Sequence, residues 1–268
     1  MIHKKIKDMD LEQIAGSGQC FRMEKLEDGA YSLIAFDRYL EIRQQGEDFQ
    51  FLCTEEEFSD IWEEYLDLKR DYGQIKNSAD TEDTYLQSAI QAGHGIRILK
   101  QDLWEMIVTF LVSQNNNISR IKKSITLLCE TLGEKHSAPN GAIYYSFPQP
   151  ENIMLGGMEK LSTLGLGYRD KYILKTAESV LEGRLNLAAL KEMDYQTAHQ
   201  ELMNQYGIGK KVADCICLFG LHHVDAFPID THVKKILEAH YPQGFPYEKY
   251  HSYAGILQQY MFYYDLQS

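Results

Sequence analysis

Short hydrophobic runs separated by polar turns fill the first third of the chain. Turn residues occur at Glu27-Asp28-Gly29, Asp37-Arg38 and Gly46-Glu47-Asp48. The segments between them are rich in aromatic and β-branched residues and have the length of strands, which favours an antiparallel meander. The predicted strands are residues 20–23, 31–36, 39–42 and 49–52.

From about residue 79 the hydrophobic positions recur with the period of an α-helix. Asp102 predicts the N-cap of a helix over Leu103 to Ser113, which is apolar on nearly all sides and therefore central. The stretch from Glu134 to Asn152 is rich in Pro, Gly and Asn and is predicted to be irregular. The other predicted helices are an acidic one opened by a Thr54–Glu57 capping box and extending to about residue 68, and those over 118–132, 169–181 and 195–206, the last capped by Asp194.

The composition of the 268 residues, 44% of them hydrophobic, is typical of a globular chain. No run of 18 apolar residues occurs, and the first residues contain no apolar signal segment, so neither a membrane span nor secretion is predicted. The five cysteines include no CxxC pair, which argues against a disulfide framework, a zinc ribbon and a compact iron–sulfur loop. These features predict a cytoplasmic protein with free thiols.

The net charge of −12 argues against a protein that holds nucleic acid by charge alone. This acidity is unevenly distributed. Residues 1–96 contain 10 Lys and Arg against 21 Asp and Glu, whereas residues 97–240 contain 16 of each kind. A strongly basic, non-specific DNA-binding protein is therefore excluded, but a locally basic surface in the helical part is not.

The most specific segment is Tyr206-Gly207-Ile208-Gly209-Lys210-Lys211, where one helix runs into a Gly-x-Gly turn and the next helix begins at once. The two glycines permit positive φ and close approach by a partner. The N–H groups that open the second helix suit a phosphate, so the segment predicts a helix–hairpin–helix contact to a DNA backbone. An ordinary helix corner with a glycine C-cap is the alternative that spacing alone leaves open.

Lys211 and Asp230 are the candidate reactive groups. Lys211 lies one turn into its helix, near the positive dipole end and beside Lys210, and both effects predict a depressed pKa. A lysine with a depressed pKa can act as a nucleophile, although a solvated side chain is the alternative. Asp230 follows a turn stiffened by Pro228 and precedes a helix predicted over 231–241. An aspartate there can cap the helix and also face a cationic transition state.

Five segments between Ser17 and Asp265 resemble, in order and spacing, the 8-oxoguanine DNA glycosylase branch of the helix–hairpin–helix/Gly-Pro-Asp (HhH-GPD) glycosylases. The resemblance implies an α+β fold. An N-terminal antiparallel β module (TBP-like), residues 1–95, would pack on two mostly helical subdomains in residues 96–268. It also implies a monomeric enzyme, without a cofactor, that excises 8-oxoguanine from double-stranded DNA and nicks the abasic strand. The short N-terminus predicts a prokaryotic source.

The resemblance also implies roles for residues in the pocket. Lys211 takes the place of the lysine that attacks C1′, and Asp230 that of the aspartate that assists the attack. Gly18 stands where a backbone carbonyl accepts the N7–H of 8-oxoguanine, a proton that guanine lacks. An unpaired buried acceptor costs about 1–3 kcal/mol, enough for a tenfold preference. The other implied pocket residues are Cys215 beside the base, Gln258 on its Watson–Crick edge and Phe262 on its face, a buried amphipathic helix being the alternative for the last two.

Further residues are implied to hold the opened duplex. Asn115 would fill the hole left by the flipped base, although three consecutive asparagines also suit a turn and a helix cap. Arg120 and Arg169 would hold the estranged cytosine, with Tyr168 as the wedge beside it, so a preference for lesions opposite cytosine is expected. The remaining implied DNA contacts are Gly207 and Gly209 in the hairpin, and His232, partnered by Asp265, at the phosphate of the extruded nucleotide.

The hairpin departs from the family pattern at one position. Tyr206 stands where the family usually has a proline, which is expected to loosen the turn. Family hairpins can also hold a cation through backbone carbonyls, here those of Met203, Gln205 and Ile208, whereas no catalytic metal is expected. The acidity of the first third has no motif that explains it.

Two other functions stay open. The same scaffold could act on another damaged base, although Lys211 and the cysteine spacing speak against the alkylpurine and thymine-glycol branches. The chain could also be a non-catalytic DNA-binding module. Trapping by borohydride separates these readings, because only an enzyme that forms a Schiff base becomes covalently attached to DNA.

Overall fold

The computed structural model describes residues 1–267 and shows the predicted α+β fold, in which an antiparallel sheet packs on a mostly helical remainder. The five strands of this sheet are β1 (Ile2–Lys5), β2 (Met23–Lys25), β3 (Tyr31–Ala35), β4 (Arg38–Gln45) and β5 (Asp48–Phe51). They are arranged in the order β1-β5-β4-β3-β2, and every neighbouring pair is antiparallel.

The sheet differs from the predicted meander at its two edges. Strand β1 was not predicted; it pairs with β5, placing Ile2 opposite Phe51. The strand predicted at residues 20–23 is wrong except for its last residue, since β2 begins at Met23. In the segment before it, Cys20 is buried in the core under the sheet, whereas Phe21 belongs to the helical core, where its ring packs edge-on against Phe110 at 6.4 Å.

Helices dominate the rest of the chain. In the N-terminal part they are α1 (Leu11–Gly16), α2 (Glu55–Glu57), a π-helical turn (Phe58–Trp62), α3 (Glu63–Tyr65), α4 (Tyr72–Asn77) and α5 (Thr84–Ala92). The central helices are α6 (Leu103–Ser113), α7 (Ile118–Leu132), α8 (Pro150–Leu161) and α9 (Arg169–Leu181). The C-terminal helices are α10 (Leu187–Lys191), α11 (Tyr195–Met203), α12 (Lys210–Gly220), α13 (Thr231–His240), α14 (Tyr247–Tyr250) and α15 (Ala254–Gln267).

The predicted bounds of α6, α7 and α9 are confirmed. The carboxylate of Asp102 caps α6 by accepting the N–H of Glu105 at 2.9 Å, and residues 103–112 of this helix are all buried. At the start of α2 the hydroxyl of Thr54 accepts the N–H of Glu57 as expected. The reciprocal half of that capping box is wrong, because the Glu57 carboxylate accepts the indole N–H of Trp62 at 3.2 Å.

Two predicted segments have different structures. The helix expected to extend from residue 195 to 206 ends at Met203, since the chain must unwind to reach Gly207, which has a φ of +86°. The stretch from Glu134 to Asn152, predicted to be irregular, contains a hairpin of β6 (Lys135–Ser137) and β7 (Ile143–Tyr145) and the first turn of α8.

The molecule has two hydrophobic cores. One lies under the five-stranded sheet and is built from residues between Ile6 and Leu66, together with Leu99. The other surrounds α6 and α15, and it also takes in the buried residues of α4 and α5. Residues 72–92 therefore pack in the helical core. The predicted division into two domains at residue 95 stays a prediction. Within residues 1–267 no helix is long and apolar enough to cross a membrane.

Candidate active site

A cleft of about 820 Å³ opens where four segments meet. They are the loop of residues 17–22 between α1 and β2, called the Gly18 loop, the turn after α6, and the first turns of α12 and α13. Behind it lies a small inner pocket of about 40 Å³. Lys211 and Asp230, 19 residues apart in the sequence, line both spaces. The fold therefore brings together the two groups that the sequence singled out as reactive.

Lys211 projects from the first turn of α12, and its Nζ lies 5.7 Å from the centre of the Phe110 ring. Burial acts to lower the pKa of its ammonium group, but interactions with Cys215 and Asp230 outweigh burial and raise this pKa above its usual value. The predicted depression of the pKa is therefore wrong. Lys210 is exposed to solvent, which screens its charge, whereas Cys215 and Asp230 act from inside the pocket.

Asp230 caps α13, as predicted. Its carboxylate accepts the N–H of Val233 at 2.8 Å, while the side chain stays half-buried at the wall of the cleft. The buried Pro228 in the preceding turn stiffens the approach to this cap. A rigid carboxylate thus lies beside the lysine ammonium.

Gly18 and Phe262 close the inner pocket. Gly18 has a φ of +73°, and a Cβ atom placed there would lie 3.2 Å from Cε1 of Phe262. The remaining 40 Å³ can hold a few water molecules but no purine. No group within residues 1–267 donates a hydrogen bond to the Gly18 carbonyl. A base could therefore enter the inner pocket only after the Phe262 ring moves.

Gln258 lines the same pocket with an unsatisfied acceptor. Its side chain is 4% exposed, and its Oε1 has no hydrogen-bond partner within the described residues. Such an orphaned buried oxygen costs about 1–3 kcal/mol unless a ligand supplies a donor. Cys215 is buried at the pocket wall, and burial raises the pKa of its thiol. Both residues thus lie where a bound base was expected.

Two glutamines that hold the Gly18 loop were not singled out from the sequence. The Gln19 amide donates to the Ser17 hydroxyl and to the Arg97 carbonyl, each at 2.9 Å, and the Gln259 amide donates to the Ser17 carbonyl. A buried glutamine belongs to no motif. The one available signal was the polar pair Gln258-Gln259 inside an otherwise apolar helix.

Asn115 lines the other side of the cleft and is joined to a row of aromatic side chains that lies next to it in the fold. Asn115 has a φ of +47°, and its amide donates to the Tyr168 hydroxyl at 3.1 Å. The ring of Tyr168 packs edge-on against Tyr172 at 5.4 Å, and Tyr172 packs in the same way against Tyr206 at 5.3 Å. A Cβ atom on Gly207 would overlap the Tyr172 ring, so this turn needs glycine. Tyr206 is exposed and touches Tyr172 by one ring contact, and the expected loosening of the turn stays a prediction.

The two arginines expected to hold the estranged base differ in their availability. Arg169 is buried, and its guanidinium donates to the carbonyls of Gln114 at 2.9 Å, Asn115 at 3.1 Å and Leu166 at 3.0 Å. Arg120 is exposed, and its side chain makes no hydrogen bond or ion pair within residues 1–267. In this structure Arg169 supports the backbone of the Asn115 turn, and Arg120 is free to contact DNA.

The other predicted contacts lie at the mouth of the cleft. Nδ1 of His232 is 2.7 Å from the Asp265 carboxylate, and its ring packs edge-on against Phe262 at 5.9 Å. Gly209 begins α12 and has open space where a Cβ atom would be, which permits close approach by a partner. No cluster of His, Cys, Asp or Glu side chains within residues 1–267 could hold a metal ion. A cation on the hairpin carbonyls stays a prediction.

Comparisons with known proteins agree with this geometry. Residues 1–107 match the N-terminal domain of 8-oxoguanine DNA glycosylases, and residues 108–245 match the HhH-GPD superfamily of base excision DNA repair proteins. A solved structure of Clostridium acetobutylicum 8-oxoguanine glycosylase/lyase, in complex with double-stranded DNA containing cytosine opposite 8-oxoG, is 37% identical. It superposes with a TM-score of 0.92 over 99% of this chain and 97% of that one.

Two curated relatives match over parts of their length. The N-glycosylase/DNA lyase of Saccharomyces cerevisiae is 39% identical over 158 residues, covering 55% of this chain and 42% of the yeast protein. N-glycosylase/DNA lyase OGG1 of Arabidopsis thaliana is 30% identical over 230 residues, covering 82% of this chain and 63% of the Arabidopsis protein. The chain thus spans less than two thirds of these curated relatives. Both are eukaryotic, so a prokaryotic source stays a prediction.

Proposed function

Since the chain belongs to the 8-oxoguanine DNA glycosylase family of the HhH-GPD superfamily, we propose that it excises 8-oxoguanine from double-stranded DNA and cleaves the resulting abasic strand. One observation carries this proposal. The inner pocket is lined by Gly18, whose carbonyl accepts no hydrogen bond within residues 1–267, and by Gln258, whose buried Oε1 has no partner there, and Lys211 and Asp230 line the same pocket. We infer a monomer acting in the cytoplasm.

The two acceptors fit the donors of the lesion. 8-Oxoguanine has an N7–H that can bond to the Gly18 carbonyl, and N–H groups on its Watson–Crick edge that can bond to Gln258. Undamaged guanine has no proton on N7, so its entry would leave the Gly18 carbonyl buried and unpaired. This difference is worth about 1–3 kcal/mol. Entry of either base requires Phe262 to leave Gly18, after which its ring can stack on the base.

The reaction begins with attack by the Lys211 amine on C1′, while the bond from C1′ to N9 breaks and the base leaves with the electron pair. The Asp230 carboxylate stabilises the positive charge that develops on the sugar. The amine then forms a Schiff base with the opened sugar, and β-elimination releases the 3′ phosphate. Because the pKa of Lys211 is raised, its ammonium group must lose a proton before it can attack.

The exposed wall of the cleft is assigned to the opposite strand. Asn115, in the turn after α6, is hydrogen-bonded to Tyr168 at the start of α9, and the exposed Arg120 lies in the first turn of α7. We propose that Tyr168 wedges into the duplex, that Asn115 fills the gap left by the flipped base, and that Arg120 contacts the estranged cytosine. Arg169 would reach that base only by releasing carbonyls, so its first role is to support the Asn115 turn. A preference for cytosine opposite the lesion follows.

The test is a duplex with one 8-oxoguanine opposite cytosine, incubated with borohydride and either the wild type or Lys211→Gln. The proposal predicts a strand nick and a covalent adduct with the wild type, and neither with the variant. If the abasic duplex is nicked but the 8-oxoguanine strand stays intact, the assignment of 8-oxoguanine as the substrate is wrong, while the lyase activity is supported. No adduct on either duplex would indicate a non-catalytic DNA-binding module.

A further inference from the structure

Gln259 has no part in the proposed chemistry; it lines the inner pocket together with Ser17 and Gly18 and is buried, with 2% of its surface exposed. It belongs to α15, and its side-chain amide donates a hydrogen bond to the carbonyl of Ser17. The last helix of the chain is thereby bonded to the residue directly before Gly18, 242 positions away in the sequence. A buried polar contact between such distant segments fixes the loop in one position.

The polar groups on both sides of Gly18 are already bonded. The hydroxyl of Ser17 donates to the Ile14 carbonyl at 2.8 Å, and the carbonyl of Gln19 accepts the Gln101 amide at 2.9 Å. Gln19 Oε1 accepts the N–H of Leu99, also at 2.9 Å. Among the three successive carbonyls of Ser17, Gly18 and Gln19, only that of Gly18 takes no hydrogen bond from residues 1–267. The loop therefore has one free backbone acceptor, at a residue that lines both the cleft and the inner pocket.

Glycine cannot fix that acceptor by itself. Gly18 has a φ of +73°, in a region that glycine enters freely and also leaves freely. The direction of its carbonyl thus depends on the peptide groups on either side. The Gln101 amide donates to the carbonyl of Gln19, after Gly18, and the Gln259 amide donates to the carbonyl of Ser17, before it.

We propose that Gln259 is a positioning residue for lesion recognition. By holding the Ser17 carbonyl, it aims the Gly18 carbonyl at the N7–H that distinguishes 8-oxoguanine from guanine. The inference rests on the proposed function of this pocket and adds to it a residue that acts through the loop.

The test compares Gln259→Met with a matched control, Gln44→Met. Methionine keeps the length of the side chain and removes the donor. Gln44 donates to the Met9 carbonyl at 3.2 Å and accepts the N–H of Leu11 at 2.8 Å. It therefore bonds the start of α1, whereas Gln259 bonds Ser17, the residue that follows the end of α1. Single-turnover cleavage is measured on duplexes containing 8-oxoguanine, its 7-deaza analogue with C–H in place of N7–H, or an abasic site.

A specific role in reading N7–H predicts a loss confined to one substrate. Gln259→Met should cleave the 8-oxoguanine duplex about tenfold more slowly, the effect of one hydrogen bond. It should cleave the analogue and the abasic duplex close to the wild-type rates, and Gln44→Met should leave the ratio of all three rates unchanged. If Gln259→Met does not fold, Gln259→Asn, which keeps the amide but shortens its reach, should show the same pattern.

Three results would overturn the inference. They are equal losses on all three duplexes, an unchanged rate on 8-oxoguanine, and the same substrate-specific loss in Gln44→Met. A wild type that nicks the abasic duplex and leaves 8-oxoguanine intact would contradict the proposed function itself, which this design distinguishes from a failure of the Gln259 assignment.

Discussion

The two walls of the cleft are built in different ways. On the lesion side, the carbonyls of Ser17 and Gln19 are hydrogen-bonded, whereas the Gly18 carbonyl and Gln258 Oε1 have no partners within residues 1–267. On the opposite-strand side, Asn115, Tyr168 and Arg120 are exposed, and the polar contacts among side chains are few. We therefore expect the first wall to keep its shape when DNA binds and the exposed side chains of the second to rearrange.

This difference separates two tasks. A pocket that must distinguish bases differing at N7 and C8 needs acceptors whose positions do not change, because a mobile acceptor could turn towards another donor. A wall that must fill the space of a flipped base needs side chains that move into a distorted duplex. Phe262 is the exception on the lesion side, since its ring packs over Gly18 and we propose that it moves when a base binds.

The largest effect is expected at Asp230. Asp230→Asn should slow base excision by about 10²–10³-fold, because the neutral amide cannot stabilise positive charge on the sugar. Asparagine is an equally good N-cap, so the thermal midpoint should not change. Single-turnover excision and thermal unfolding measure the two properties separately. A variant as active as the wild type would reduce Asp230 to a helix cap.

The pH dependence of excision should also be large. The raised pKa of Lys211 keeps it protonated at neutral pH, and the fraction of neutral amine grows as the pH rises. The single-turnover rate should therefore increase about tenfold per pH unit between about pH 6 and 8. DNA affinity measured at each pH is the control. A rate independent of pH would show that the attacking lysine is already neutral in the complex.

Gln258→Leu should have opposite effects on stability and activity. It removes an unsatisfied acceptor from the free protein, so the free energy of unfolding in urea should rise by about 1 kcal/mol. Excision of 8-oxoguanine should fall about tenfold, because the Watson–Crick edge loses its partner. Loss of stability in this variant would mean that Gln258 supports the helical core and does not read the base.

The smallest effects are expected on the opposite-strand side. Arg120→Ala should reduce the preference for cytosine over other opposite bases by about three- to tenfold, without changing stability. Arg169→Ala should destabilise the protein by about 1–3 kcal/mol, since it leaves buried carbonyls without donors. Excision from duplexes with each opposite base, and urea unfolding, measure these effects. A loss of cytosine preference in Arg169→Ala alone would reverse the two roles.

Local signals in the sequence were sufficient for much of the fold. Helices α6 and α7 begin after Asp102 and Asn117, whose short side chains cap them, and both have the predicted bounds. Strand β1 could not be recognised because its Ile-His-Lys-Lys sequence lacks β-branched alternation and is held by pairing with β5. The hairpin in residues 134–152 depends in the same way on contacts distant in sequence.

The sequence predicts Lys211 and Asp230 as the reactive groups, and the fold brings both to one cleft, but their environment could not be predicted. Lys211 and Asp230 follow from a hairpin and a cap, both of which are local features. The direction in which the pKa of Lys211 is shifted does not follow from local features, because it depends on groups that only the folded pocket brings close. The bonds of Gln259 and Arg169 are likewise contacts between distant segments, and neither residue type has a local pattern that reveals them.

The most direct test is a crystal structure of Lys211→Gln bound to a duplex with 8-oxoguanine opposite cytosine. The account predicts the lesion base in the inner pocket, its N7–H on the Gly18 carbonyl and its Watson–Crick edge on Gln258. The Phe262 ring should have moved from Gly18 onto the base. A base outside the pocket, or one inside it whose N7–H bonds to another group, would contradict the account.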